Sequence, residues 1–143
     1  MITKIPIEIV ELEQDSFHIF IQIIIGSDNI ANMVIDTGAS KTVFDENFIK
    51  NNVINIEKND DIYSSGINSP LTDTKIAIID KIKIGNLIIE KFSTVIINLD
   101  YINNIYKKIK KEKISGFIGG DFLNKYCAKI DYGSKLLTLI YDD

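Results

Sequence analysis

Apolar residues recur at every second position through much of this chain, and a period of two belongs to strands. Ile5, Ile7 and Ile9 alternate with Pro6, Glu8 and Val10, and Phe17, Ile19, Ile21 and Ile23 alternate with a mixed second set. Successive side chains on a strand point to opposite faces, whereas an amphipathic helix needs apolar spacing near 3.6. Gly26-Ser27-Asp28-Asn29 turns the chain into a third strand, Ile30 to Ile35, and Thr42-Val43-Phe44 resumes extended structure past a short loop. Lys75 to Asp80, Lys81 to Ile84, Leu87 to Ile89 and Phe92 to Ile97 continue the pattern around a Gly85-Asn86 turn. The expectation is an all-β fold with one or two short helices. At 143 residues, with 45% hydrophobic side chains, the chain can bury one core, so residues 1–143 are expected to form a single domain.

Two segments break the strand pattern. Asp45 to Asn51 suits a helical turn or two, and between Asn98 and Ser115 the residues Tyr101, Ile102, Ile105, Tyr106 and Ile109 recur at helical spacing. An amphipathic helix near Tyr101 to Lys111 follows, with Lys107, Lys108, Lys110 and Lys111 on its solvated face.

The apolar run Met33-Val34-Ile35 ends abruptly at Asp36, followed by Thr37, Gly38, Ala39 and Ser40. A carboxylate is thereby aimed out of a core. Gly38 admits conformations and close approaches that a Cβ would forbid, and Ala39 and Ser40 keep the surroundings small. Far downstream, Phe117 and Ile118 predict a buried strand beside Val34 and Ile35, and Gly119 predicts a close pass of that strand behind the Asp36 loop. Asp121 is then placed to cap a short helix after Gly120. Cys127 to Tyr132, a Gly133-Ser134 turn and Leu136 to Ile140 suit a closing hairpin, with Asp131 as a turn residue.

An apolar strand running into Asp-Thr-Gly, with Gly116-Phe117-Ile118-Gly119-Gly120-Asp121-Phe122-Leu123 downstream, resembles the two signatures of the aspartic peptidases. A short chain with one such motif is similar to the single-motif, bacterial-type retropepsin-like peptidases, and the resemblance covers nearly its whole length. It implies a retropepsin-like acid-protease β barrel assembled as a symmetric homodimer, with terminal β structure such as Leu136 to Tyr141 at the contact. It also implies an aspartic-type endopeptidase in which the Asp36 carboxylates of two copies share a proton and activate a water against a peptide or protein substrate. Thr37 resembles the residue that braces the opposite loop, and Gly38 the one whose backbone approaches the substrate. Tyr63 to Pro70 falls where the family carries its flap, so Ser65, Gly66, Ile67 and Asn68 are the expected substrate-covering residues. The sequence departs from the family at Asn68-Ser69-Pro70, where a more glycine-rich tip is usual, and at Ser40, where the retroviral pattern is acidic. Two other readings stay open: a non-catalytic homodimeric peptide-binding module of the same fold, and a monomer in which Asp36 is a structural turn residue.

Other classes fit less well. A net charge of -4 argues against a nucleic-acid partner. Glu8, Glu11 and Glu13 precede any long apolar stretch, so neither a signal peptide nor a transmembrane helix is expected there, no membrane partner is implied, and the reading is cytoplasmic. His18 and Cys127 are the single histidine and cysteine, too few for a zinc site, and no nucleophile signature accompanies them, so no metal and no cofactor are expected. His18 is read as lying on the polar side of a strand and Cys127 as a small buried residue.

Overall fold

The computed structural model describes residues 1–58, 75–108 and 112–142. Its strands are β1 (Ile2–Pro6), β2 (Glu8–Glu13), β3 (Ser16–Ile25), β4 (Asn29–Ile35), β5 (Val43–Asp45), β6 (Val53–Lys58), β7 (Lys75–Ile84), β8 (Leu87–Ile97), β9 (Gly116–Ile118), β10 (Lys129–Asp131) and β11 (Leu136–Ile140). Three short helices, α1 (Glu46–Ile49), α2 (Asp100–Lys107) and α3 (Gly120–Lys125), lie between them. The mostly β expectation holds; the helical turn foreseen at Asp45 to Asn51 is present as α1, which makes three short helices where the fold class allowed one or two.

The larger sheet runs β2-β3-β4-β9-β5-β8-β7-β6, and a further pairing of β3 with β7 closes it on itself. Six strands, β3, β4, β9, β5, β8 and β7, therefore form a closed barrel, with β2 and β6 attached outside it. Closure removes the free backbone edges that an open sheet would present. The isoleucine alternation fills the interior: Ile19, Ile21, Ile23 and Ile25 of β3 pack with Met33 and Ile35 of β4, Ile79, Ile82 and Ile84 of β7, and Ile96 of β8. The opposite face of β3 and β4 carries a smaller cluster of Phe20, Val34 and Ile114, against which Tyr106 and Phe117 pack.

The first expected strand is in fact two. β1 pairs with β11, whereas β2 pairs with β3, so the chain changes sheets at Ile7, whose N–H donates to the carbonyl of Lys135 at 3.0 Å. Pro6 precedes the break and has no N–H to continue a ladder. β11 lies at the centre of the small sheet β1-β11-β10, with both backbone edges already paired. Any strand addition to this sheet must therefore use β1 or β10 and not Leu136–Ile140.

Two local expectations are also revised. Cys127 is exposed, not buried. It follows α3 with φ 48, its N–H donates to the carbonyl of Asn124, and the N–H of Ala128 donates to that of Leu123. This is the left-handed helix stop in which glycine is usual, and it turns the thiol outward. On α2, Tyr101 and Ile105 face out while Ile102 and Tyr106 are half-buried, and the buried position belongs to Asn103. Its amide clasps the backbone of Ile114, donating to the carbonyl at 3.1 Å and accepting from the N–H at 2.7 Å, which satisfies polar groups that the apolar periodicity could not reveal.

Candidate active site

β4 and β9 run parallel, with Val34 beside Phe117 and Ile35 beside Ile118. The last bond of this pairing holds the catalytic-looking loop: the N–H of Asp36 donates to the carbonyl of Ile118 at 2.9 Å. The Asp36 side chain is exposed beyond the end of β4, and its Oδ1 accepts the N–H of Gly38 at 3.1 Å. The loop then rests on the start of α3, where Gly120 donates to the carbonyl of Ala39 at 2.7 Å and Asp121 to that of Ser40 at 3.1 Å. Gly119 is the crossing point. A Cβ there would lie 2.6 Å from the carbonyl carbon and oxygen of Lys41 and 2.9 Å from the carbonyl oxygen of Ala39, so only glycine fits.

Asp121 does not cap α3 in the expected way. Gly119 occupies the N-cap position, and Asp121 instead reaches to Thr42. Its Oδ1 accepts the backbone N–H and the hydroxyl of Thr42, each at 2.8 Å, as well as the N–H of Phe122. The Thr42 hydroxyl in turn accepts the N–H of Gly119 at 3.1 Å, and its carbonyl accepts the hydroxyl of buried Thr94 at 3.0 Å. Both threonines are buried, and neither was singled out in the sequence, because a threonine within or next to a strand carries no motif. Gly38 also differs from expectation: its backbone is not left-handed, and a Cβ would meet only Asp36 Oδ1 at 3.4 Å, an ordinary contact. The space above it is open to a ligand.

Asp36 and Thr37 border a hollow of about 370 Å³, walled by Phe17, Ile35, Phe117, Ile130 and Tyr132. One side is closed by His18 and Tyr106, whose rings meet edge to face at 5.7 Å with the Tyr106 hydroxyl 3.1 Å from His18 Nδ1. Burial raises the Tyr106 phenol above its ordinary value, and the negative charge of Asp36 adds to the rise, so Tyr106 is a neutral hydroxyl beside the carboxylate. His18 is thus half-buried at the hollow and not simply a polar strand residue.

The aspartyl protease family profile matches residues 21–122, well over half of the chain, including Asp36-Thr37-Gly38 and Gly116 to Phe122. The chain belongs to the aspartyl protease family. Its fold is similar to a retropepsin-like aspartic protease from Rickettsia conorii, with a TM-score of 0.55 at 13% identity over 97% of this chain and 91% of that one. It is also similar to the retroviral protease-like domain of Ddi1 from Leishmania major, with a TM-score of 0.53 at 14% identity over 84% and 86% of the two chains. No curated protein sequence matches.

Within this aspartic protease-family fold, Asp36, Thr37, Gly38, Ala39 and Ser40 form one loop directly over Phe117, Ile118 and Gly119, so residues eighty positions apart meet as one unit. Ser65, Gly66, Ile67 and Asn68 lie outside the described residues. Among the described residues, no helix is long and apolar enough to cross a membrane.

Proposed function

We propose that this protein is an aspartic endopeptidase acting as a symmetric homodimer, with an Asp36 from each copy at the shared axis. The observation that carries this reading is the exposed Asp36 carboxylate held on a hydrogen-bonded loop over Gly119, which supplies half of an acid–base pair. Two carboxylates brought within a few Å cannot both ionise easily, so one serves as base while the other keeps its proton. The ionised Asp36 removes a proton from a water that attacks the peptide carbonyl. The protonated Asp36 of the second copy donates to the developing oxyanion and then to the leaving nitrogen. Thr37 braces the opposite loop, and Gly38 leaves its side of the cleft clear for an extended substrate backbone. Ile130 of edge strand β10 and the adjoining Tyr132 border the same hollow, which favours β10 as the side of the small sheet nearest the second copy.

The test is Asp36→Asn on a defined peptide, with sedimentation of both proteins at micromolar concentration. Cleavage should fall by about 10²–10⁴-fold or more, while the dimer persists. The same turnover in the variant, with contaminating peptidases excluded, refutes the Asp36 mechanism, whereas a wild type that binds the peptide without cleaving it favours the peptide-binding module. A wild type that stays monomeric with peptide present refutes the shared site.

A further inference from the structure

The Asp36 hollow shares its His18–Tyr106 wall with a second hollow of about 260 Å³, bounded on the far side by Leu12, Glu13, Ser16 and Ile105. A substrate lying extended across Asp36 places every second side chain on one face, roughly 7 Å apart. Because the two hollows share His18 and Tyr106, a peptide that presents one side chain to the first can offer the side chain two positions away to the second. We propose that the second hollow is a substrate subsite that selects a basic side chain, two positions from the residue held beside Asp36. The proposal rests on the endopeptidase reading and adds to it a class of preferred substrate.

The lining matches such a side chain part by part. Leu12 is half-buried and Ile105 is 48% exposed, so both offer apolar surface to the methylene stem of a lysine. Glu13 stands opposite Ser16 at the end of the β2–β3 hairpin and supplies the carboxylate for the ammonium group. Among the described residues Glu13 makes no ion pair, whereas its neighbour Glu11 is turned into the hairpin and accepts the N–H of Asp15. A neutral apolar side chain gains the stem contact alone. An acidic one meets Glu13 as a like charge.

Two non-cleavable statine-containing peptides, identical except for Lys or Met at the position two residues from the one beside the statine, separate these cases by calorimetry. Wild type should bind the Lys peptide about fivefold more tightly, and the ratio should shrink with added salt. In Glu13→Gln the ratio should fall to about one. Matching cleavable peptides should show the preference in KM and not in kcat. Equal binding of both peptides by wild type, or a preference that survives in Glu13→Gln, overturns the subsite alone. Failure of both peptides to bind wild type overturns the endopeptidase reading and the subsite with it.

Discussion

Beneath Asp36, the loop from 36 to 40 is tied to β9 and α3 by backbone hydrogen bonds, and the buried Thr42 and half-buried Asp121 close the remaining gaps. Beside Asp36, the wall depends on one side-chain bond between His18 and Tyr106 and an edge-to-face ring contact. The floor is made mostly of backbone groups that every residue possesses, so its demand on sequence falls on a few small or glycine positions and on the Thr42–Asp121 side-chain pair. The wall is made of side chains from β3 and α2, and can change without disturbing the chain path. A fold that fixes its floor and frees its wall can keep one chemistry while varying what it accepts.

Gly119→Ala is the sharpest way to break the floor. The added methyl meets the backbone of Lys41 and Ala39, which cannot swing aside as a side chain would. A loss of about 3 kcal/mol of stability is expected, together with loss of any cleavage, measured by denaturant unfolding and peptide turnover. A variant as stable as wild type would mean that the loop is looser than its hydrogen bonds imply. Asp121→Ala should come next, at about 2 kcal/mol, because the N–H and hydroxyl of Thr42 lose their acceptor together. If Asp121→Ala costs no more than a surface change, the Thr42 network is ornamental to the floor.

These two positions also mark how far the sequence could be read. The floor was legible because its requirements are steric: an apolar strand, Asp-Thr-Gly, and a glycine at the crossing point leave a pattern. Period-two isoleucines likewise announced most barrel strands. The sheet change at Ile7 was not legible, since the alternation of Ile5, Ile7 and Ile9 continues through it and the partner strands are remote. Asp121 was placed at the right helix but given the wrong partner, because capping is a local rule and Thr42 lies far away in sequence. The His18–Tyr106 wall has no motif, and Asn103 is polar at the one α2 position that is buried.

Tyr106→Phe tests the wall without emptying it. The ring remains to pack against Phe20 and His18, and only the hydroxyl contact with Nδ1 is removed. Stability should fall by about 1 kcal/mol or less, well below either floor variant, while the choice among substrates broadens. A loss as large as that of Gly119→Ala would erase the distinction between floor and wall.

Asp45 joins the two regions, and its substitution should have the smallest effect. It ends β5, next along the chain from the floor, and its Oδ1 accepts the N–H of Leu99, the residue that opens α2 and so sets where Tyr106 sits. Burial raises the Asp45 pKa, an effect that the Leu99 bond offsets only in part and that the charges of Asp100 and Glu46 reinforce. A raised carboxyl pKa means that the folded state holds the proton more tightly than the unfolded chain. Its contribution to stability is therefore complete below the unfolded pKa and is lost as pH rises through the folded one. Asp45→Asn keeps the acceptor for Leu99 and removes the charge. It should raise Tm slightly at neutral pH, and the gap to wild type should close as the solution is acidified toward the ordinary aspartate range, where Asp45 is protonated as well. A variant less stable than wild type at neutral pH would show that the ionised carboxylate is needed to hold α2, and that wall and floor are coupled through charge and not through a hydrogen bond alone.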